Sequence, residues 1–260
     1  MKRTSGVYAC HHGVELGFDL FHPESGETPP LVVCLHGGGW ISGDRTMMTD
    51  VCVDLAQEGF AAAAIDYRLA PLFTFPAAID DVEAFIHFAR SNAETLNFDA
   101  RRVASFGNSA GGYLALMAGI RSESPLTELR PMEKADLIVD ICGITDISNP
   151  QVDHLPISWS FIEQFIGAPF PGNENRYIDA SPIHHVSAED PPMMLIHGTD
   201  DDIVPISQTY DLAAKLDEYK VPHEVMVLEG EGHSFTFEGW RQLFSASVDF
   251  MNRNFQLANR

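Results

Sequence analysis

The run Gly107-Asn108-Ser109-Ala110-Gly111 limits what this chain can fold into more than any other stretch. It follows an apolar run at residues 103–106 and leads directly into Gly112-Tyr113-Leu114-Ala115-Leu116-Met117-Ala118. A buried strand therefore gives way to a helix within one tight turn, with a serine at its tip. So sharp a turn pushes the serine toward a strained backbone conformation. Glycine suits positions 107 and 111 because a side chain at either would collide with the adjoining strand or helix. The hydroxyl is then held above the sheet edge, next to free N–H groups at the helix start. A glycine-rich turn with a capping serine has the same spelling, so the chemistry has to be sought elsewhere in the chain as well.

Strand and helix patterns alternate along most of the 260 residues. Residues 14–21 alternate as an early antiparallel strand. Leu31–Leu35 is a continuous apolar run, as expected for a strand covered on both faces. Further strands are expected at 60–65, 103–106, 137–142, 193–196 and 223–228. Helices are expected at about 47–57, after Pro76, at 206–219 and at 239–255. Alternation of this kind predicts an α/β chain with a mainly parallel, doubly wound sheet and helices on both faces. No repeat or linker interrupts it, so the expectation is one domain. Ligands in such sheets bind beyond the carboxyl ends of the strands.

Residues 147–190 break the rhythm with several prolines, no clear strand, and Trp159, Phe161, Phe165, Phe170 and Tyr177. The aromatics argue against disorder. The reading is a partly helical, lid-like insertion over the strand ends. The alternative is a satellite cluster without substrate contact.

Sixteen Lys and Arg against 37 Asp and Glu give a formal charge of −21. Such a surface repels phosphate backbones and anionic lipid, which argues against nucleic-acid and membrane-surface partners. It is read as a solubility device. The first residues carry two positive charges but no apolar segment after them, and no later run is long enough to span a membrane. Cys10, Cys34, Cys52 and Cys142 are scattered, as small hydrophobes in a reducing compartment would be, with no disulfide framework or metal site. The expectation is a cytoplasmic protein whose oligomeric state is open, a homodimer included.

A serine hydroxyl is a weak nucleophile that needs a base, and the base needs an orienting acid. Two turns that each follow an expected strand supply them. His197-Gly198-Thr199-Asp200-Asp201-Asp202-Ile203-Val204-Pro205 offers three carboxylates, one to face a histidine, one to cap the next helix and one for solvent. Gly232-His233-Ser234 offers an imidazole after the strand at 223–228. Ser, Asp, His is the chain order this architecture requires. His184 and His185 lack a preceding strand, His223 lies at the wrong edge, and His11 and His12 fall near a start read as mobile. Leu35-His36-Gly37-Gly38-Gly39-Trp40 can turn backbone N–H groups toward a developing oxyanion. It lacks the Lys-Ser/Thr of a phosphate-binding loop and the spacing of a dinucleotide fingerprint.

At these residues the chain resembles the α/β-hydrolase superfamily, and within it the BD-FAE-like and hormone-sensitive-lipase-like esterases. The resemblance is carried by His36-Gly37-Gly38-Gly39-Trp40 with Gly43-Asp44, and by Asp66-Tyr67-Arg68-Leu69-Ala70-Pro71. Phe75-Pro76-Ala77-Ala78-Ile79-Asp80-Asp81, the serine turn, and the acid and histidine turns complete it in the family's order. It implies Ser109 as nucleophile, His233 as general base and Asp201 as acid, with Asp202 open because the triplet allows a one-residue slip. It also implies Gly38, Gly39 and Ala110 as the oxyanion hole, and a bracing role for His36, Tyr67, Arg68 and Asp80. No cofactor and no metal are implied. The absence of a long N-terminal cap, and Leu72 where Glu is usual, favour the smaller BD-FAE-like esterases over lipases. The implied activity is hydrolysis of short-chain carboxylic esters, including acetylated carbohydrates, with a small-molecule ester as partner. An amide hydrolase, arylformamidase-like or a peptidase, uses the same machinery. A non-catalytic ligand-binding protein on this fold would have a broken triad.

Overall fold

Eight strands among the described residues pair into one sheet: β1 (Lys2–His11), β2 (Val14–His22), β3 (Leu31–Leu35), β4 (Ala61–Ile65), β5 (Val103–Asn108), β6 (Leu137–Ile141), β7 (Met193–Gly198) and β8 (His223–Leu228). Their order is β1-β2-β4-β3-β5-β6-β7-β8. The structure is a computed structural model that describes residues 1–24, 28–121, 134–148 and 154–257. The first two strands pair antiparallel to each other, and β2 pairs antiparallel to β4. From β4 to β8 every pairing is parallel. The expected mainly parallel, doubly wound sheet is therefore present.

Each central strand sends alternate side chains to opposite faces, and each face has its own core. Val33, Leu35 and Ile138 meet α2 (Ala77–Ser91), α4 (Ala110–Ile120) and α7 (Ser207–Tyr219) through Phe85, Leu114 and Leu212. Val32, Cys34 and Val139 meet α1 (Thr49–Gln57) and α8 (Phe237–Leu257) through Leu55 and Met251. Helix α4 is buried at all eleven positions, which accounts for an apolar sequence without a polar stripe. Its neighbours need only one apolar face each. The short helix α3 (Ala93–Leu96) ends at Asn97 in the left-handed conformation.

One expectation needs correction. The chain's start was read as mobile, yet β1 is a ten-residue strand joined to β2 through a two-residue turn, with both His12 (φ 52°) and Gly13 (φ 79°) left-handed. Tyr8 packs edge-on against Phe85, and His11 Nδ1 lies 2.7 Å from the buried carboxylate of Asp81. The stretch at 147–190 contains α5 (Pro156–Ile166), α6 (Glu174–Asp179) and a 3-10 turn at Pro182–His184. Residues 149–153 of that expected insertion lie outside the described residues. No helix among the described residues is long and apolar enough to cross a membrane.

Candidate active site

Ser109 stands between β5 and α4 with φ 56° and ψ −123°, a conformation that costs a non-glycine residue about 1–3 kcal/mol. The surroundings hold it there. Its N–H donates to Ile141 O at 2.8 Å, and its carbonyl accepts from Tyr113 N at 3.0 Å. A Cβ on Gly107 would sit 2.2 Å from Gly111 O, and one on Gly111 would sit 2.1 Å from Leu35 O. The helix is thus pressed onto the end of β3 so closely that only glycine fits on either side of the serine.

Three loops bring the hydroxyl, imidazole and carboxylate together. Ser109 Oγ lies 3.0 Å from His233 Nε2, and His233 Nδ1 lies 2.8 Å from Asp201 Oδ2. Because Nδ1 faces a carboxylate it carries the proton, which leaves Nε2 free to accept from the serine. Asp201 takes the histidine-facing task and also closes its own turn, while the helix-capping expected of a neighbour is not met. Its Oδ2 faces His233, while its Oδ1 accepts the N–H groups of Ile203 and Val204 at 2.9 and 2.8 Å. Asp202 is exposed on the same turn, and the exposed Asp200 accepts from Thr199 Oγ1. No side chain of the triplet caps α7. Burial pushes the Asp201 carboxyl up, but hydrogen bonds from His197, His233 and Val204 outweigh it and hold the group well below the usual carboxylate range.

The glycine loop lies against the serine: a Cβ on Gly37 would meet Asn108 at 3.2 Å and Ser109 Cβ at 3.5 Å. Gly38 has φ 114°, and its carbonyl is turned away to accept from Ile41 N and Ser42 N. Among the described residues, no backbone carbonyl accepts the N–H of Gly38, Gly39 or Ala110, and Gly38 and Gly39 line the cavity with Ser109. His36 and Tyr67 brace this loop, their rings stacked at 4.2 Å and the tyrosine hydroxyl donating to His36 O at 2.8 Å. Arg68 pairs with Asp81 and not with Asp80, whose partner is Arg121 at 3.4 Å. Adjacent acids on α2 thus hold two different arginines, and both keep a structural role.

A cavity of about 410 Å³ opens over Ser109 and His233. Its walls are mainly apolar, including Ile144, Ile157, Phe161, Ile162 and Val204. Helix α5 supplies Ile157, Ser158, Phe161 and Ile162, which share one helical face. The aromatic series divides accordingly. Phe161 lines the cavity against Gly39, Phe165 stacks on Trp40 at 4.4 Å, and Trp159, Phe170 and Tyr177 form a separate cluster. A larger depression of about 670 Å³ beside α8 contains none of these residues.

Three buried groups beside the site receive no role there from the sequence, although it marks Cys142 as a small buried hydrophobe and His197 as the first residue of the acid motif. Asp140 on β6 is fully buried, and burial pushes its carboxyl up to about 7 against the opposing pull of His197 and the Gly143 N–H. The buried Cys142 thiol is also pushed up by burial, and its sulfur with one ligand atom each of Asp201 and His233 lies within a 4.8 Å group. Asp201 already accepts from donors on both oxygens, so a cation could bind there only if His233 moved away. His197 Nε2 lies 3.2 Å from Asp201 Oδ2. Strand position alone signals none of these contacts.

A family model described as BD-FAE matches residues 18–216. The chain belongs to the BD-FAE family. The matched span contains Ser109 and Asp201, whereas His233 lies beyond it and is placed by geometry alone. Esterase LipC of Mycobacterium tuberculosis is 30% identical over 213 residues, 79% of this chain and 53% of that protein. Ethyl acetate hydrolase of Pseudomonas putida is 31% identical over 216 residues, 77% of this chain and 64% of that one. The chain spans about half the length of the mycobacterial relatives it matches. A thermophilic esterase from Thermogutta terrifontis, solved with butyrate bound, superposes with a TM-score of 0.82 at 24% identity, covering 96% of this chain and 93% of that one. The fold is that of the α/β-hydrolases.

Proposed function

We propose that this protein is a serine hydrolase of short-chain carboxylic esters that works through an acyl-enzyme. The observation that carries the reading is the unbroken relay from Asp201 through His233 to Ser109 at the floor of an apolar cavity. In the first step Ser109 Oγ attacks the ester carbonyl while His233 Nε2 takes its proton. The carbonyl oxygen becomes an oxyanion that receives the N–H groups of Gly38, Gly39 and Ala110. His233 returns the proton to the leaving alcohol, and the acyl–oxygen bond to that alcohol breaks. Water, deprotonated by the same imidazole, then releases the acid and restores the serine. Asp201 remains ionised throughout, which its low protonation range favours.

The cavity walls favour a short apolar acyl group. The serine hydroxyls that line it are already engaged, Ser42 with Gly38 O and Ser158 with Ile203 O. An acetylated carbohydrate would therefore place its acetyl group inside and its sugar at the mouth. We read residues 147–190 as a lid on a single domain, with α5 as its catalytic-side wall. The names of two relatives, esterase LipC and ethyl acetate hydrolase, lend support.

The test is a panel of p-nitrophenyl esters from acetate to decanoate, with matched anilides and acetylated xylose, run on wild type and Ser109→Ala. Turnover should peak among the short esters and fall about a million-fold in the variant. Preference for the anilides would favour the amide-hydrolase alternative. Most turnover surviving in the variant would remove Ser109 from the chemistry.

A further inference from the structure

The acid of the relay is held by two imidazoles. Asp201 Oδ2 faces His233 Nδ1 at 2.8 Å and His197 Nε2 at 3.2 Å. His197 is fully buried at the end of β7. Its Nε2 also lies 2.9 Å from Val204 O, so both groups near that nitrogen are acceptors and Nε2 must carry the proton. Its Nδ1 lies 2.7 Å from the buried Thr209 Oγ1 on α7, and the threonine hydroxyl donates there when the ring is neutral. The single Nε2–H thus lies between two acceptors, Val204 O at 2.9 Å and Asp201 Oδ2 at 3.2 Å, and is shared by them. Asp201 then has Ile203 N and Val204 N on one oxygen, and His233 with a share of His197 on the other.

We propose that His197 is a positioning residue that acts through Asp201, fixing Oδ2 on the Nδ1–H of His233, with Thr209 holding its tautomer. The proposal rests on the esterase reading for its kinetic consequence only. With His197 in place, Oδ2 cannot rotate away from His233 without also giving up its share of the buried His197 Nε2–H, which Val204 O would then hold alone. Without it, Asp201 is held on one oxygen by backbone and on the other by the moving imidazole alone. His197 touches neither substrate nor serine, so substrate binding should be unaffected.

The experiment compares His197→Gln, which can still donate toward Asp201, with His197→Leu, which cannot, and Thr209→Val, which frees the ring to change tautomer. Active sites are titrated with an organophosphate, so that misfolded protein is not counted. For His197→Leu, kcat per titrated site on p-nitrophenyl acetate should fall about tenfold or more, the scale of one hydrogen bond to a charged group. KM should stay within about twofold by the same differential-binding argument, and His197→Gln should recover most of the loss. Thr209→Val should fall between the two, and it carries the comparison if His197→Leu does not fold. The far-downfield proton resonance of His233 Nδ1–H in histidine-labelled protein gives a second reading that requires no turnover. It should shift or broaden in His197→Leu and Thr209→Val and persist in His197→Gln. An unchanged resonance, or a loss in His197→Gln equal to that in His197→Leu, would overturn the proposal. A normal resonance in a wild type that hydrolyses no ester would overturn the esterase reading alone.

Discussion

Replacing Asp140 by asparagine should make the protein gain stability relative to the wild type as pH rises. The carboxyl is fully buried on β6, facing the first turn of α4 where a Cβ on Gly112 would lie 2.3 Å from its Oδ1. Burial pushes it from the ordinary 3.8 to about 7. A folded state that holds its proton more tightly than the unfolded chain is favoured below pH 3.8, and that advantage is lost as pH rises through 7. At 1.36 kcal/mol per pH unit, the full loss is about 4 kcal/mol. About 2–3 kcal/mol of it falls between pH 5 and pH 8. Asparagine does not titrate, but its buried amide would lack partners at a cost of about 1–3 kcal/mol at every pH. The two effects oppose each other, so whatever the constant offset, the variant should gain about 2–3 kcal/mol on the wild type between pH 5 and pH 8. Urea unfolding of both proteins across this range measures the difference directly. A difference that stays flat with pH would refute the reasoning, whatever its absolute size.

The same methods check three further expectations. Asp201→Asn should lower kcat about ten-thousand-fold, while Asp202→Asn at its exposed neighbour should stay within about twofold, measured side by side on a short ester. At position 109 glycine should outlast alanine in thermal unfolding by about 1 kcal/mol, reversing the usual preference, because only glycine adopts φ 56° and ψ −123° without strain; equal stability would mean that the turn is relaxed. With a formal charge of −21, moderate salt should raise the melting temperature by screening self-repulsion, and a flat or falling response would contradict it.

The central strands were legible because a strand covered on both faces needs a continuous apolar run, and Leu31–Leu35 and Ala61–Ile65 supply one. Strand β1 was not, because both of its faces are largely open and Lys2-Arg3-Thr4-Ser5-Gly6 carries no alternation. Its one local clue was His12-Gly13, a pair able to adopt the left-handed hairpin turn. In the site, the serine turn and the histidine loop could be read from their places after strands. The choice among Asp200, Asp201 and Asp202 could not, since three identical side chains on one turn differ only in direction. The division of partners between the adjacent Asp80 and Asp81, Arg121 for one and Arg68 for the other, is the same limit on a helix. Asp140 and His197 sit in strands whose letters give depth but not cross-strand company.

Helix α5 reaches the catalytic loop through one hydrogen bond, Ser158 Oγ to Ile203 O, and reaches the segment after the glycine loop through Phe165 on Trp40. The wall of the proposed acyl chamber is thus tethered to the stretch that donates two amides to Asp201. Anyone reshaping that chamber for bulkier feedstocks should expect changes on α5 to register in turnover number as well as in selectivity. Because Phe161 packs on Gly39, libraries that vary Ile157 and leave Ser158, Phe161 and Phe165 alone would keep the two effects apart.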